Sequence, residues 1–187
     1  IHHELGQVMT KAATVVRNNK DLAAAYATVS ELTERAKRCA LADTGHWTNQ
    51  NIVFTRALQD MLPIAKVILK GALQRDECRG AHFKPEFAMP GLEPTTDPAE
   101  RRRAAEAWCD RFEENTRRWL KSTVATCNDG EPDIAYEAVD TSLIPPRPRL
   151  YGLVGAEAIE EVWKSRAAKT STDGAPRGAK PSLAAAH

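Results

Sequence analysis

Aromatic residues are scarce: Trp, Tyr and Phe make up 6% of the 187 residues, although 42% are hydrophobic. Much of the apolar mass is therefore alanine, the best helix former, which tilts the chain toward helix and away from strand. No cysteine pair has CxxC spacing. Cys39, Cys78, Cys109 and Cys127 lie 39, 31 and 18 positions apart, which argues against a zinc knuckle or a thioredoxin-type site and leaves four reduced, partly buried thiols. No apolar run is long enough to span a bilayer, so direct membrane insertion is not expected. The net charge of +1 supplies no field to attract nucleic acid or anionic lipid. Phosphate loops, GxGxxG turns and GxSxG elbows are all missing, and "HHELG" lacks the second histidine of a zinc-protease motif. The chain opens on Ile1, in mid-pattern and without a capping residue, and we expect a piece of a longer polypeptide.

What is present reads as helices. Leu5, Val8, Met9, Ala12 and Val16 form one apolar stripe, and Leu22, Ala25, Tyr26, Val29, Leu32 and Ala36 form a second. Asn19 is the expected cap between them. Glu31–Arg35 and Glu34–Arg38 are spaced for i,i+4 ion pairs on the outer face. A third stripe, Phe54, Leu58, Met61, Leu62, Ala65, Ile68, Leu69 and Ala72, is the strongest periodic signal and predicts a helix over about 51–74. Pro63 inside it predicts a kink or a packed bend. Three stripes on short connections predict a three-helix bundle filling 1–90 together with the loop that follows.

A linker and a further helix are expected over 91–118, capped by Asp97 with Pro98 in its first turn. Residues 99–118 hold six arginines against five acidic groups, which describes a solvated face and not a nucleic-acid patch. The segment 119–151 should form a β-hairpin, Trp119–Thr126 with Ile134–Leu143 around the turn signal "NDGEP", and then a proline-rich ending. A short helix over 155–168 and a disordered tail from Ser165 complete the expectation. The fold class is thus mainly α, a three-helix bundle with an additional helix, a C-terminal β-hairpin and a disordered tail.

The densest chemistry lies in "RDECRGAHFKPEF", residues 75–87. Glu77, Arg79, Gly80 and His82 are its candidate functional residues. His82 could serve as an acid–base group, but no second convergent set of polar residues accompanies it. Arg79 can grip a carboxylate or carbonyls in a fork, and Gly80 lets the backbone turn. The residue types favour a buried or interfacial polar network over catalysis. His2 and His3, adjacent on a helix, point about 100° apart and make a poor metal pair; no metal site is assigned. His46 lies in a polar loop.

"HHELGQVMTKAATVVRN", "TNQNIVFTRALQDMLPIAKVILKGALQRDECRGAHFKPEF" and "WLKSTVAT" resemble the C-terminal helical region of succinate dehydrogenase and fumarate reductase flavoprotein subunits, most of all the menaquinone-linked, bacillus-type branch. "VDTSLIPPRPRLY" resembles the family's usual ending. The resemblance covers residues 1–89 and 119–151, with 98–118 looking like an insertion. Cys78 stands where the family usually has serine, and weakens one hydrogen bond to a thiol contact. The resemblance implies a complete subunit that binds FAD and converts succinate to fumarate. Electrons would pass to an iron–sulfur subunit and on to quinone at a cytochrome b membrane anchor. It further implies a cytoplasmic protein, peripheral on the inner face of the cell membrane. The family's catalytic and flavin-binding residues belong to upstream flavin and capping domains, and none maps onto these positions. Glu77, Arg79, Gly80 and His82 are then expected to brace neighbouring domains, and the 187 residues alone to be inactive. A related flavoenzyme, L-aspartate oxidase or adenylylsulfate reductase, and a free-standing helical interaction module are the alternatives.

Overall fold

The computed structural model describes residues 1–172. Its elements are α1 (His2–Ala12), α2 (Asn19–Ala36), α3 (Gln50–Gln74), a 3-10 turn (Pro85–Phe87), α4 (Pro98–Trp119), β1 (Lys121–Asn128), β2 (Glu131–Ala138) and α5 (Ala156–Thr172). The mainly helical architecture with one antiparallel hairpin matches the expectation from sequence. The chain divides into two compact units. One holds residues 1–88 and the hairpin, 121–138; the other holds Met89–Leu120 and, among the described residues, 139–172.

In the first unit, α1, α2 and α3 share one core of Leu5, Ala12, Leu22, Ala25, Val29, Leu32, Ala36, Leu58, Leu62, Ala65, Leu69 and Ala72. Each fully buried leucine stabilises the fold by about 1.5–3 kcal/mol relative to an exposed one. Several details differ from the sequence reading. α1 stops at Ala12, four residues before Val16, because the β-branched run Thr14–Val15–Val16 leaves the helix and pairs its backbone with Phe83 instead. The cap of α2 is Asn18, one residue before the expected Asn19; its Oδ1 accepts the Asp21 N–H at 2.8 Å. Neither expected i,i+4 pair forms. Arg35 reaches across to Glu4 of α1 with two bonds of 2.6 and 3.0 Å, a fork that surface neighbours cannot match, and Glu34 takes Lys37.

α3 runs without a break through Pro63, starting from an Asn49 cap. Its predicted stripe splits in two: Leu58, Leu62, Ala65, Leu69 and Ala72 are buried, whereas Phe54, Met61 and Ile68 are exposed. The helix is apolar over a wider arc than one core face uses.

The hairpin lies closer to the turn than expected. Asn128 pairs with Glu131 around Asp129–Gly130, both at positive φ (52° and 81°). Two such residues make the two-residue turn whose twist matches antiparallel strands. Trp119 belongs to α4, and Val139–Leu143 lie beyond the ladder. The turn is fastened to α3: Lys66 Nζ donates to Glu131 Oε1 and to the Gly130 carbonyl, and Lys70 Nζ to the Pro132 carbonyl.

In the second unit α4 packs on α5. Asp97 caps α4 through the Ala99 N–H, with Pro98 in the first turn as predicted. Ala105, Trp108, Cys109, Ile159 and Val162 form the core, with Phe112 edge-on to Trp163 at 5.3 Å. Gly91 and Gly155 are required by close approach: a Cβ on Gly91 would sit 2.6 Å from the Val154 backbone, and one on Gly155 2.6 Å from Leu92. α5 continues to Thr172, so Ser165–Thr172 are helical and not disordered. The rest of the expected disordered tail lies outside the described residues.

Leu69→Ala removes a side chain with no solvent exposure and is expected to cost about 3 kcal/mol. Urea unfolding should show a lower midpoint with an unchanged slope.

Candidate functional site

The motif Arg75–Lys84 follows directly on α3 and folds back as a tight loop. Gly80 at φ +60° turns the chain, and Arg79 and His82 exchange both backbone hydrogen bonds, at 2.8 and 3.0 Å. The returning strand-like stretch then pairs with the α1–α2 connection: Phe83 N–H donates to the Val15 carbonyl and Arg17 N–H to the Phe83 carbonyl. The loop thereby ties the end of α3 to a segment far away in sequence.

Glu77 sits at the middle of the loop with 0% exposure. Arg75 Nε donates to its Oε1 at 2.6 Å; Arg79 donates Nε to both oxygens and Nη2 to Oε2 at 2.9 Å. A buried carboxylate without such partners would be strongly disfavoured, so the two arginines are what allow it to be there. Arg75 also donates to Thr123 Oγ1 and the Lys121 carbonyl, and so carries the network into β1. Lys84, equally buried, donates to the Leu73 carbonyl at the end of α3 and to Asp76 Oδ1. Asp76 in turn accepts from Asn19 of α2.

His82 has both ring nitrogens engaged. Arg17 Nη1 lies 2.9 Å from Nδ1, and the Arg75 carbonyl 2.8 Å from Nε2. A guanidinium can only donate and a carbonyl only accept, so Nδ1 is the acceptor and Nε2 carries the proton. Arg17 is itself anchored to the Thr14 and Ala13 carbonyls. Burial lowers the proton affinity of His82. The bond to the Arg75 carbonyl opposes this, and the charges of Arg17 and Lys84 add to the lowering. His82 is therefore a neutral, fixed hydrogen-bond bridge whose two nitrogens are already spoken for, a poor arrangement for moving substrate protons. Cys78 donates its thiol to the Lys84 carbonyl at 3.1 Å, and burial pushes that thiol up from its usual range.

Glu77, Arg79, Gly80 and His82 thus come together in one loop, as their spacing suggested. Sequence reasoning did not single out Arg17, Arg75, Asp76 or Lys84 as members, nor the second cluster at the hairpin turn. There Lys66 is 4% exposed and Tyr26 donates to Glu131 Oε2 at 2.6 Å. Burial, then the bond to Glu131, pushes the Tyr26 hydroxyl up to about 12. The signal was legible in Lys66 itself, a cation between Leu62, Ala65 and Leu69 on the apolar face of α3. Among the described residues no group of three or more His, Cys, Asp or Glu is placed to hold a metal ion, and no helix is long and apolar enough to cross a membrane.

The chain as a whole has relatives. The family model described as "Fumarate reductase flavoprotein C-term" matches residues 2–151. The chain belongs to this family. It is 38% identical over 153 residues to the succinate dehydrogenase flavoprotein subunit of Bacillus subtilis, covering 81% of this chain and 22% of that protein. The fumarate reductase flavoprotein subunit of Haemophilus influenzae is 28% identical over 167 residues, 89% of this chain and 24% of its own length. A solved structure of a FrdA mutant of Escherichia coli quinol fumarate reductase superposes with a TM-score of 0.59 at 25% identity, over 79% of this chain and 22% of that one. The chain therefore spans about a fifth of the length of the flavoproteins it matches, which are subunits of oxidoreductases.

The flavin implied by the family does not fit the described residues of this flavoprotein C-terminal region. A dinucleotide is held by a glycine-rich turn between a parallel strand and a helix, whereas the described strands here form one antiparallel hairpin. The charged groups of the 75–84 loop are turned on one another and on backbone carbonyls.

Glu77→Ala should cost about 3 kcal/mol or more, since it strands Arg75 beside an empty buried site; unfolding in urea measures it. A second expectation concerns pH. The folded state binds a proton at His82 less readily than the unfolded chain, which titrates near 6.5. The contribution of this group is full above that value and is lost as pH falls from there toward the lower folded-state value. Unfolding measured at pH 7 and about 5.5 should show the loss, and His82→Gln should flatten it.

Proposed function

We propose that these residues are the C-terminal helical region of a flavoprotein subunit that interconverts succinate and fumarate. In this reading FAD and the reacting carbons are held by parts of the subunit outside the 187 residues, which alone neither retain flavin nor oxidise succinate. Electrons pass to an iron–sulfur subunit and on to quinone at a membrane anchor, with the flavoprotein peripheral on the cytoplasmic face. The identity to the Bacillus subtilis succinate dehydrogenase subunit supports the succinate side of the reaction.

Within the subunit, Glu77, Arg79, Gly80 and His82 brace and do not catalyse. The observation that carries this is the closure of the loop on itself: the Glu77 carboxylate lies between two arginines, and His82 lies between Arg17 and the Arg75 carbonyl. Within the loop, Glu77, His82, Asp76 and Lys84 are engaged in holding α3, the α1–α2 connection and their neighbours together. Arg79, Gly80 and Ala81 form the exposed tip of the loop, the part able to meet a neighbouring domain.

Two measurements test the reading. Flavin absorbance together with succinate turnover in the 187-residue chain would overturn the division of labour. In the complete subunit, Arg79→Ala is expected to lower flavin content per protein while leaving turnover per bound flavin near the parent value. Full flavin content with abolished turnover would remove the bracing role.

A further inference from the structure

α3 carries more apolar surface than its bundle can bury. Besides the core row, Val53, Phe54, Met61, Ile64 and Ile68 are apolar and stand 67%, 66%, 41%, 58% and 43% exposed. At about 100° per residue they share one sector adjoining the buried one, and at 1.5 Å per residue they run for roughly 22 Å along the helix. Ala57 and Gly71 fall in the same sector, and its charged edge is Asp60. A helix apolar on nearly two faces belongs inside a larger structure. Beside Phe54 and Met61 the stripe opens into a cavity of about 360 Å³ reached also by Leu41, Leu58 and His2, a recess that could take a side chain of whatever covers the helix.

We infer that this outer face of α3 is a permanent docking surface within the flavoprotein, covered by the part of the same polypeptide that lies outside these 187 residues. The inference rests on the flavoprotein reading above and deepens it by naming the face. The relatives supply the occupant: the chain accounts for only 22% of the Bacillus subtilis subunit's length, so most of such a subunit remains to be accommodated against it. The chemistry of the face points the same way. Surfaces that meet and part from separate proteins are ringed and crossed by polar groups, whereas permanent ones resemble a core cut in half. Here five large apolar side chains follow one another with no charge between them along the sector's centre. The 75–84 loop, by contrast, has its polar groups satisfied internally and leaves only its tip outward.

The test uses the complete flavoprotein in its natural assembly, with a photoreactive phenylalanine analogue placed in turn at Phe54, at Ile64 and, as a control, at Gln59 on the exposed polar side of α3. The expected result is an intrachain crosslink from positions 54 and 64 to peptides outside the 187 residues, and its loss at position 59. Ile64→Glu in the same protein should lower the melting temperature and diminish the crosslink from position 54. Crosslinks to a second copy or to another subunit, or none at all from 54 and 64, overturn the inference. If that happens in a protein with full flavin and succinate turnover, the flavoprotein reading stands and only the docking face is wrong. A complete protein with neither flavin nor succinate turnover sinks both.

Discussion

One fully buried carboxylate organises the end of the bundle. Glu77 has no access to water, and the desolvation of an isolated carboxylate costs more than most local contacts return. Its presence is tolerated because Arg75 and Arg79 bring opposite charge to within 2.6 and 2.9 Å. That requirement fixes the rest. Arg75 must leave α3 at the right angle, which also puts its carbonyl on His82 and its outer nitrogens on β1. Arg79 must double back, which needs the left-handed backbone at Gly80. Lys84, the second charge with no exposure, is held by the Leu73 carbonyl and Asp76. The loop is a set of mutually dependent charges and not a row of independent contacts, so its members couple strongly.

Such an arrangement suits a joint better than a reaction centre. Acid–base groups at work keep a proton position open toward substrate. His82 keeps none: its tautomer is set by a donor on one side and an acceptor on the other, with burial disfavouring the charged form. Cys78 fits the same picture, since a thiol reaching a carbonyl at 3.1 Å fills the space and asks little of proton chemistry.

The periodic parts of the fold were legible in sequence because burial leaves a direct imprint on residue order. Helix periodicity located α1, α2, α3 and α4, and "NDGEP" located the hairpin turn. Two of the misplacements share one cause: a long-range partner displaced a local one. Val16 looked helical by spacing but gave its backbone to Phe83. Arg35 had Glu31 one turn away but found a bidentate partner in Glu4. Phe54, Met61 and Ile68 fitted the stripe of α3, yet the bundle had room for only one face. In the 75–84 loop Glu77, Arg79, Gly80 and His82 were singled out, whereas their near neighbours Arg75, Asp76 and Lys84 were not; nor was Arg17, since nothing in local spacing links positions 65 apart.

That same separation shapes how the chain must assemble. α1, α2 and α3 can each begin to form from local hydrogen bonds, but the Arg17–His82 bridge and the Lys66–Glu131 clasp each close a span of 65 residues. Closing long spans spends chain entropy before any contact repays it. During synthesis the α1–α2 connection therefore waits, with its Val15 carbonyl and Arg17 backbone N–H without their Phe83 partners, until the chain has grown past Phe83. The hairpin turn waits longer still. The bundle is consequently completed from its far end of sequence.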